Sequence, residues 1–244
     1  MIHHIHKYLR LLPFIILIFL CGCKESQASG ALEYEIEITY STINVQGFTI
    51  KITESLMDNS EYYSGVSLLH ERLAVVVDVL PKSEIDFLKQ NVIIWITDES
   101  EVYNIANVEY HKSAQWLINN NLNPDKAKGI EIHTFNTFIE WTKDQPFMLL
   151  HELAHAYQHQ YLGDDNAKIL SAFNLARDSG IYEEVDRNGV LEKAYAIANE
   201  FEYFAETSES FFVTNDYFPY NRDQLKSFDN NGYLLMLDIW GVVE

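Results

Sequence analysis

Apolar and polar side chains alternate along the chain between Leu32 and Leu56. The apolar positions of the two alternating stretches are Tyr34, Ile36, Ile38 and Tyr40, followed by Phe48, Ile50 and Ile52. A period of two residues predicts β-strands that turn one face toward a core, and Asn44–Gly47 predicts the turn between them. This part of the chain is therefore expected to begin a sheet.

The spacing of apolar residues then becomes helical. Between residues 61 and 80 the apolar positions follow one face of a helix, which Pro81 ends: Leu69, Leu73, Val76, Val77 and Leu80. The next predicted elements are a buried strand at residues 91–97, a helix at 111–121 that Pro124 stops, and an alternating strand at 129–133.

Long helices dominate the second half of the chain. The predicted helices cover residues 147–162, 166–178, 194–213 and 230–240, and Gly163 ends the first of them. Strands followed mainly by helices indicate an α+β fold. We expect one domain over residues 32–244, with a small mixed lobe at 32–140 and a mainly helical lobe at 141–244.

The start of the chain resembles the leader of a bacterial lipoprotein. A basic segment precedes an apolar run at residues 11–20, which is too short for a comfortable membrane span, and the sequence LCGC ends at Cys23 as in a lipobox. Cleavage there would remove residues 1–22 as a signal peptide and leave 23–31 as a lipidated tether. An ordinary signal peptide with incidental cysteines is the alternative. We expect a protein of the bacterial cell envelope, held at the outer membrane or cell surface by a lipid on Cys23.

Composition and charge exclude some classes of function. Hydrophobic residues make up 48% and aromatic residues 14% of the chain, which is typical of a packed globular domain. The net charge of −19 argues against nucleic acid as a partner, since that binding needs Lys and Arg on the phosphates. The same charge favours neutral or basic substrates over acidic ones. Both cysteines lie at the leader boundary, so the mature chain has no pair for a disulfide.

The main chemical signal is the sequence HELAH at residues 151–155, inside an apolar helix. His151 and His155 stand on one face of that helix, about 6 Å apart along its axis. Both imidazoles can therefore reach one tetrahedral zinc ion at about 2.0–2.1 Å. Glu152 lies beside them, where it can take a proton from metal-bound water. A helix with two surface histidines is the alternative.

A third ligand is expected from a later helix. Glu202, Glu206 and Glu209 fall on one helical face, while most of the remaining surface of that helix is apolar. Such a helix should be buried, and buried carboxylates need positive partners. Glu202 would ligate the zinc, and Glu206 could accept the N–H of a ligating histidine. A solvated acidic face is the alternative.

The nearer histidine is a poor third ligand. His159 lies eight residues from His151, which is about 12 Å of helix, so one ion can hardly bind both while the helix stays straight. The metzincin pattern is excluded as well, because Gln158 and Tyr161 occupy the positions where it requires Gly and His. We expect His159 to be a partly exposed helix residue.

Together these residues resemble the gluzincin peptidases, in which His-Glu-x-x-His combines with a Glu from a later helix. The resemblance is strongest to the anthrax lethal factor-like family, which includes the Pro-Pro endopeptidases. That family has a Tyr seven residues before the ligating Glu, as Tyr195 is here before Glu202, and the sequence EYFAE from Glu202 matches its pattern. The resemblance covers residues 147–162 and 195–212. Ala154 stands where those toxins usually have Gly.

The resemblance implies a zincin-like fold and one catalytic zinc ion (Zn2+), with Glu152 as the general base of peptide-bond hydrolysis. It also implies that the hydroxyl of Tyr195 points at the developing oxyanion, although a Tyr in this aromatic-rich segment is also typical of a core. The segment Gly129, Ile130, Glu131 and Ile132 would be the edge strand that pairs with an extended peptide. A plain structural strand is the alternative for that segment.

These observations predict a secreted, lipid-anchored zinc endopeptidase. We expect a monomer that acts on a peptide or protein substrate and meets the membrane through its N-terminal lipid. One alternative is a non-catalytic, zinc-containing surface binding lipoprotein on a peptidase scaffold. The other is a structural lipoprotein with a fortuitous motif, which would bind no metal.

Overall fold

A five-stranded mixed sheet forms the first part of the fold. A computed structural model describes residues 38–98 and 108–243. The strands are β1 (Tyr40–Val45), β2 (Phe48–Thr53), β3 (Ile93–Thr97), β4 (Val108–Tyr110) and β5 (Ile130–His133). Their order across the sheet is β1-β2-β3-β5-β4. The central strands β2, β3 and β5 are parallel, while β1 and β4 run antiparallel to their neighbours.

The first two strands form the predicted hairpin. Its turn lies where the sequence predicts it, and Gln46 and Gly47 both have positive φ angles, of 54° and 93°. The predicted inner face of β2 is confirmed, since Phe48, Ile50 and Ile52 are fully buried.

The predicted inner face of the first strand is wrong. Ile43 pairs with Ile50 across the hairpin, so the odd-numbered positions of β1 face the core. Tyr40 therefore lies on the opposite face, and Ile38 is 39% exposed. The alternation changes phase between Tyr40 and Ile43, and the core contact is made by the later apolar residues. Tyr34 and Ile36 lie outside the described residues.

Two helices connect β2 to β3. Helix α1 (Tyr62–Val79) agrees with the predicted helix and buries Leu69, Leu73 and Val76. Helix α2 (Lys82–Asn91) was not predicted, because Pro81 was interpreted only as the end of the preceding helix. Proline has no N–H to donate and a fixed φ, so it suits the start of a helix as well as the position after one.

Helices form most of the second part of the fold. They are α3 (Ala114–Asn119), α4 (Phe135–Trp141), α5 (Met148–Tyr157), α6 (Ala167–Ser179), α7 (Glu200–Phe212), α8 (Arg222–Phe228) and α9 (Asn230–Ile239). A small hairpin of β6 (Val185–Arg187) and β7 (Val190–Glu192) interrupts them. The α+β class is thus confirmed. Within the described ranges no helix is both long and apolar enough to traverse a lipid bilayer.

Several of these elements were missed in the sequence. Helices α4 and α8 are seven residues long and carry too few apolar positions to show a period. The β6–β7 hairpin had a clear signal, since Asn188-Gly189 is a typical two-residue hairpin turn and both residues have positive φ. The predicted signal peptide (1–22), Cys23 and the tether (23–31) lie outside the described residues.

Candidate metal centre

Helix α7 is a buried helix with a strong start signal. The side chain of Asn199 accepts hydrogen bonds from the backbone N–H groups of Phe201 and Glu202, at 2.9 and 3.0 Å. Such a cap satisfies N–H groups that have no partner inside the helix. Nine consecutive residues from Tyr203 to Phe211 are buried. The cap therefore fixes the first turn of a helix whose position is then determined by packing.

The packing of α7 against α5 brings the predicted ligands together. The Nε2 atom of His151 lies 3.0 Å from Oε2 of Glu202, and Nε2 of His155 lies 3.3 Å from the same oxygen. The two imidazole rings are 4.7 Å apart and nearly perpendicular, at 81°. Two nitrogens from one helix thus converge on one carboxylate oxygen from another.

These three groups fit a tetrahedral metal ion. Donor atoms of the three side chains all lie within 4.8 Å of one another. Zinc at about 2.0–2.1 Å from each ligand requires donor atoms roughly 3.4 Å apart, which is close to the separations found here. The donor set of two imidazoles and one carboxylate is also the one that catalytic zinc prefers. All three side chains also line the cavity described below.

The electric field at this position favours a cation. Burial disfavours a charge on His151, but its hydrogen bond with Glu202 and the nearby carboxylates outweigh that effect and raise its pKa to about 10. Burial would raise the pKa of Glu202, but the hydrogen bonds with His151 and His155 outweigh this effect and hold that pKa well below the usual range. Carboxylates that stabilise a proton here would also stabilise a divalent metal ion.

Glu152 is held beside the ligand cluster by the sheet. Its Oε2 atom accepts a 2.8 Å hydrogen bond from the backbone N–H of Tyr110 in β4. Burial raises the pKa of the Glu152 carboxyl, and the neighbouring His155 and His151 only partly offset this. A carboxylate with a raised pKa is a stronger base, which is the property that proton transfer requires.

The expected edge position of residues 129–132 is wrong, because β5 is an inner strand of the sheet. β5, which contains Ile130, Glu131 and Ile132 and follows Gly129, pairs with β3 on one side and β4 on the other. It therefore has no free edge, and all four of its residues are buried. The edge strand beside the centre is β4, which was not predicted because it is three residues long and includes the charged Glu109.

Two further carboxylates lie behind His151. Its Nδ1 atom is 3.6 Å from Oε1 of Glu206 and 3.9 Å from Oε2 of Glu209. Glu206 is thus on the side of His151 where the sequence predicted it, at a distance longer than a hydrogen bond. The other oxygen of Glu206 accepts a 3.0 Å hydrogen bond from Nδ2 of Asn215. Burial raises the pKa of Glu206 to about 7 despite the opposing effect of His151.

A cavity of about 530 Å³ opens onto the cluster. It contains all four residues of the predicted centre, the edge strand and the carboxylates of α7. The lining residues are Val108, Glu109, Tyr110, Trp141, Gln145, Met148, His151, Glu152, His155, Tyr195, Glu202, Glu206 and Glu209. Glu109, Trp141, Gln145 and Met148 had no role in the sequence-based prediction, because nothing in their local pattern distinguishes them from surface or core residues.

Tyr195 lies at the mouth of this cavity and not in the core. It begins a short 3-10 turn (Tyr195–Ile197) just before α7 and is 49% exposed. Partial burial and the nearby negative charge of Glu202 raise the pKa of Tyr195 to about 12. The phenol therefore stays protonated and can donate a hydrogen bond over the whole physiological pH range.

His159 lies outside the ligand cluster, as expected. It is half-buried in a π-helical turn (Gln158–Leu162) that continues α5, and its Nδ1 is 2.7 Å from the hydroxyl of Tyr110. It lines a smaller cavity of about 240 Å³ that shares Tyr110, His155 and Glu202 with the larger one. Its contact with the edge strand was not foreseen.

Comparison of the chain with protein-family models, with curated proteins and with solved structures found no match.

Proposed function

We propose that this protein is a zinc-dependent peptidase. The observation that carries the proposal is the convergence of His151 and His155 on the Glu202 carboxylate, with a partly buried Glu152 fixed beside them. A base next to a three-ligand site with an open side is the arrangement that metal-assisted hydrolysis needs. The zincin-like fold and the lethal factor-like family suggested by the sequence belong to the same proposal.

Bound zinc would polarise the scissile carbonyl and make a water molecule more acidic. Glu152 takes the proton of the attacking water on Oε1, the oxygen that Tyr110 leaves free, and then returns it to the leaving nitrogen. Tyr195 donates its hydroxyl hydrogen toward the developing oxyanion.

The edge strand β4 supports a peptide as the substrate. The N–H of Tyr110 points to Glu152, away from β5, whereas the N–H of His111 bonds to the carbonyl of Gly129. Alternation along a strand therefore places the backbone N–H and C=O of Val108 on the edge that faces away from β5, where Glu152 occupies only the N–H of Tyr110. A substrate in extended conformation can pair with this edge through its main chain, which brings its carbonyl toward the metal ligands.

The test is a digest of a peptide library by the purified chain, with elemental analysis of the protein and with chelator controls. We expect about one zinc per chain, cleavage of some peptides, loss of cleavage with chelator and recovery when zinc is added back. Bound zinc without cleavage of any peptide would indicate the non-catalytic binding protein. A chain that binds no metal would refute the peptidase and leave a structural lipoprotein.

We further propose that the domain is anchored in the bacterial cell envelope through Cys23. The support is the sequence alone: an apolar run followed by LCGC, with both cysteines of the chain at that boundary. Expression in bacteria fed a labelled fatty acid should label the wild-type protein and leave a Cys23→Ala variant unlabelled. Labelling of that variant, or none of the wild type, would exclude this anchor.

A further inference from the structure

The cavity has a carboxylate that the proposed mechanism does not use. Glu209 lines the cavity and is only 5% exposed. Within residues 38–98 and 108–243 no donor forms a hydrogen bond with its side chain, and its one ionic contact is His151 Nδ1 at 3.9 Å. Because Glu209 lines the cavity, its carboxyl oxygens are left to form hydrogen bonds with groups that enter it.

Nearby positive groups are already engaged. The guanidinium of Arg187 bonds to Asp216, at 2.9 and 3.0 Å. The N–H on Nδ1 of His151 is nearer to Glu206 than to Glu209. Glu206 also has the amide of Asn215, which leaves Glu209 as the carboxylate in greatest need of a partner.

The negative charge of the cavity also favours a cationic ligand. Five glutamates line it, and no Lys or Arg does so among the described residues: Glu109, Glu152, Glu202, Glu206 and Glu209. One divalent ion would offset two of these charges, and the proposed mechanism already uses Glu202 on the metal and Glu152 on the water. The carboxylates of Glu206 and Glu209 then remain without a cation. Trp141 and Met148 line the same cavity and give it apolar surface against which a methylene chain can pack.

We propose that Glu209, assisted by Glu206, binds the cationic side chain of a lysine or arginine in the peptide substrate. This specificity rests on the proposed function, since it concerns the same cleft. The ammonium or guanidinium group donates hydrogen bonds to Glu209, and the aliphatic part of the side chain lies along Trp141 and Met148. The substrate class is therefore basic peptides, which the net charge of −19 also attracts over long distances.

The first experiment compares matched peptides with the zinc-loaded full chain. Each position around the cleaved bond carries in turn lysine, norleucine or glutamate, where norleucine has a similar methylene chain without the charge. At one position lysine should raise kcat/KM about tenfold or more over norleucine, mainly through KM. Glu209→Gln should bring that ratio close to one. Glu183→Gln removes an exposed carboxylate that pairs with Lys193 and should leave the ratio unchanged.

The second experiment needs no turnover. Binding of n-butylammonium and of n-butanol to the zinc-loaded chain is measured by ligand-observed NMR. The wild type should bind the cation at least about tenfold more tightly than the alcohol. This comparison on the wild type decides the question even where Glu209→Gln fails to fold.

The outcomes separate this proposal from the one on which it rests. Butylammonium binding without cleavage of any peptide would support the cation subsite and refute the peptidase. Cleavage without a lysine preference, together with equal binding of the cation and the alcohol, would refute the subsite and leave the peptidase standing. A lysine preference that survives in a folded Glu209→Gln variant would overturn the assignment to Glu209.

Discussion

The backbone N–H of Tyr110 donates a 2.8 Å hydrogen bond to Oε2 of Glu152, across 42 residues of chain. This bond joins the edge of the sheet to the helix that carries the two histidines. It occupies one oxygen of the Glu152 carboxylate and leaves the other free. The position of the proposed base is thus determined by the same strand that we propose pairs with the substrate, so base and substrate are positioned together.

Glu152→Gln should abolish turnover and leave the fold and zinc content intact. The glutamine oxygen can still accept the hydrogen bond from Tyr110, but the side chain can no longer take up a proton. We expect kcat/KM to fall by at least about a thousandfold, since loss of a general base costs roughly 10²–10⁴. Kinetics with a cleaved library peptide and elemental analysis of the variant are the measurements. A variant with normal zinc content and normal activity would remove Glu152 from the mechanism.

Glu202→Gln should weaken zinc binding strongly. The substitution keeps the shape of the side chain and removes the negative charge on which both imidazoles converge. Because groups that only orient a ligand change affinity about 10–100-fold, loss of a direct anionic ligand should cost at least a hundredfold. Competition with a chromogenic chelator measures this. Glu200→Gln is the matched control, since it removes a charge two residues away, outside the donor cluster.

Tyr195→Phe should lower kcat about tenfold to a hundredfold with zinc content unchanged. Phenylalanine keeps the ring at the mouth of the cavity but lacks the hydroxyl that would stabilise the oxyanion. Because the pKa of Tyr195 is raised to about 12, the phenol is still protonated at pH 9, and wild-type activity should not fall there through its ionisation. A pH–rate profile and a separate determination of kcat and KM test both statements. A large change in KM alone would assign Tyr195 to ground-state binding.

The candidate site was largely predictable because its signals are local. His151 and His155 must share a face at a spacing of four residues, and the carboxylates of α7 must share another, whatever the tertiary structure. Their convergence needed only one long-range contact, between α5 and α7. A burial argument was enough to expect that contact, because a helix with apolar residues around its acidic stripe cannot stay exposed.

The role of each strand could not be predicted in the same way. The sequence IEIH in β5 alternates like an edge or half-exposed strand, yet Glu131 is fully buried. Its charge is compensated by Lys126 and His111, which lie 5 and 20 residues away in the chain and show no pattern that links them to it. The true edge strand β4 is too short for any period to be visible. The inner position of β5 and the edge position of β4 thus depend on contacts with distant parts of the chain and not on local sequence propensity.

Those partners form a buried polar network beneath the edge strand. Oε1 of Glu131 accepts hydrogen bonds from Nζ of Lys126 and Oγ1 of Thr97, both at 2.7 Å, and Oε2 lies 2.6 Å from Nε2 of His111. Burial alone would raise the pKa of Glu131, but His111 and Lys126 lower it to about 2. Because His111 directly follows β4, this network also supports the strand that holds Glu152.

Glu131→Gln should therefore lower the free energy of unfolding by about 3–5 kcal/mol, because it removes a buried charge that is paired with the ammonium of Lys126. The double variant Lys126→Met/Glu131→Gln removes both charges and should recover much of this loss, as measured by urea unfolding.

In the wild type the pKa of Glu131 is lower in the folded than in the unfolded chain. Its contribution is therefore present above about pH 4.5 and is lost as the pH falls toward 2. The slope of stability against pH in this window should be smaller in the double variant. A double variant as unstable as Glu131→Gln, with an unchanged slope, would show that the pair contributes through packing and not through charge.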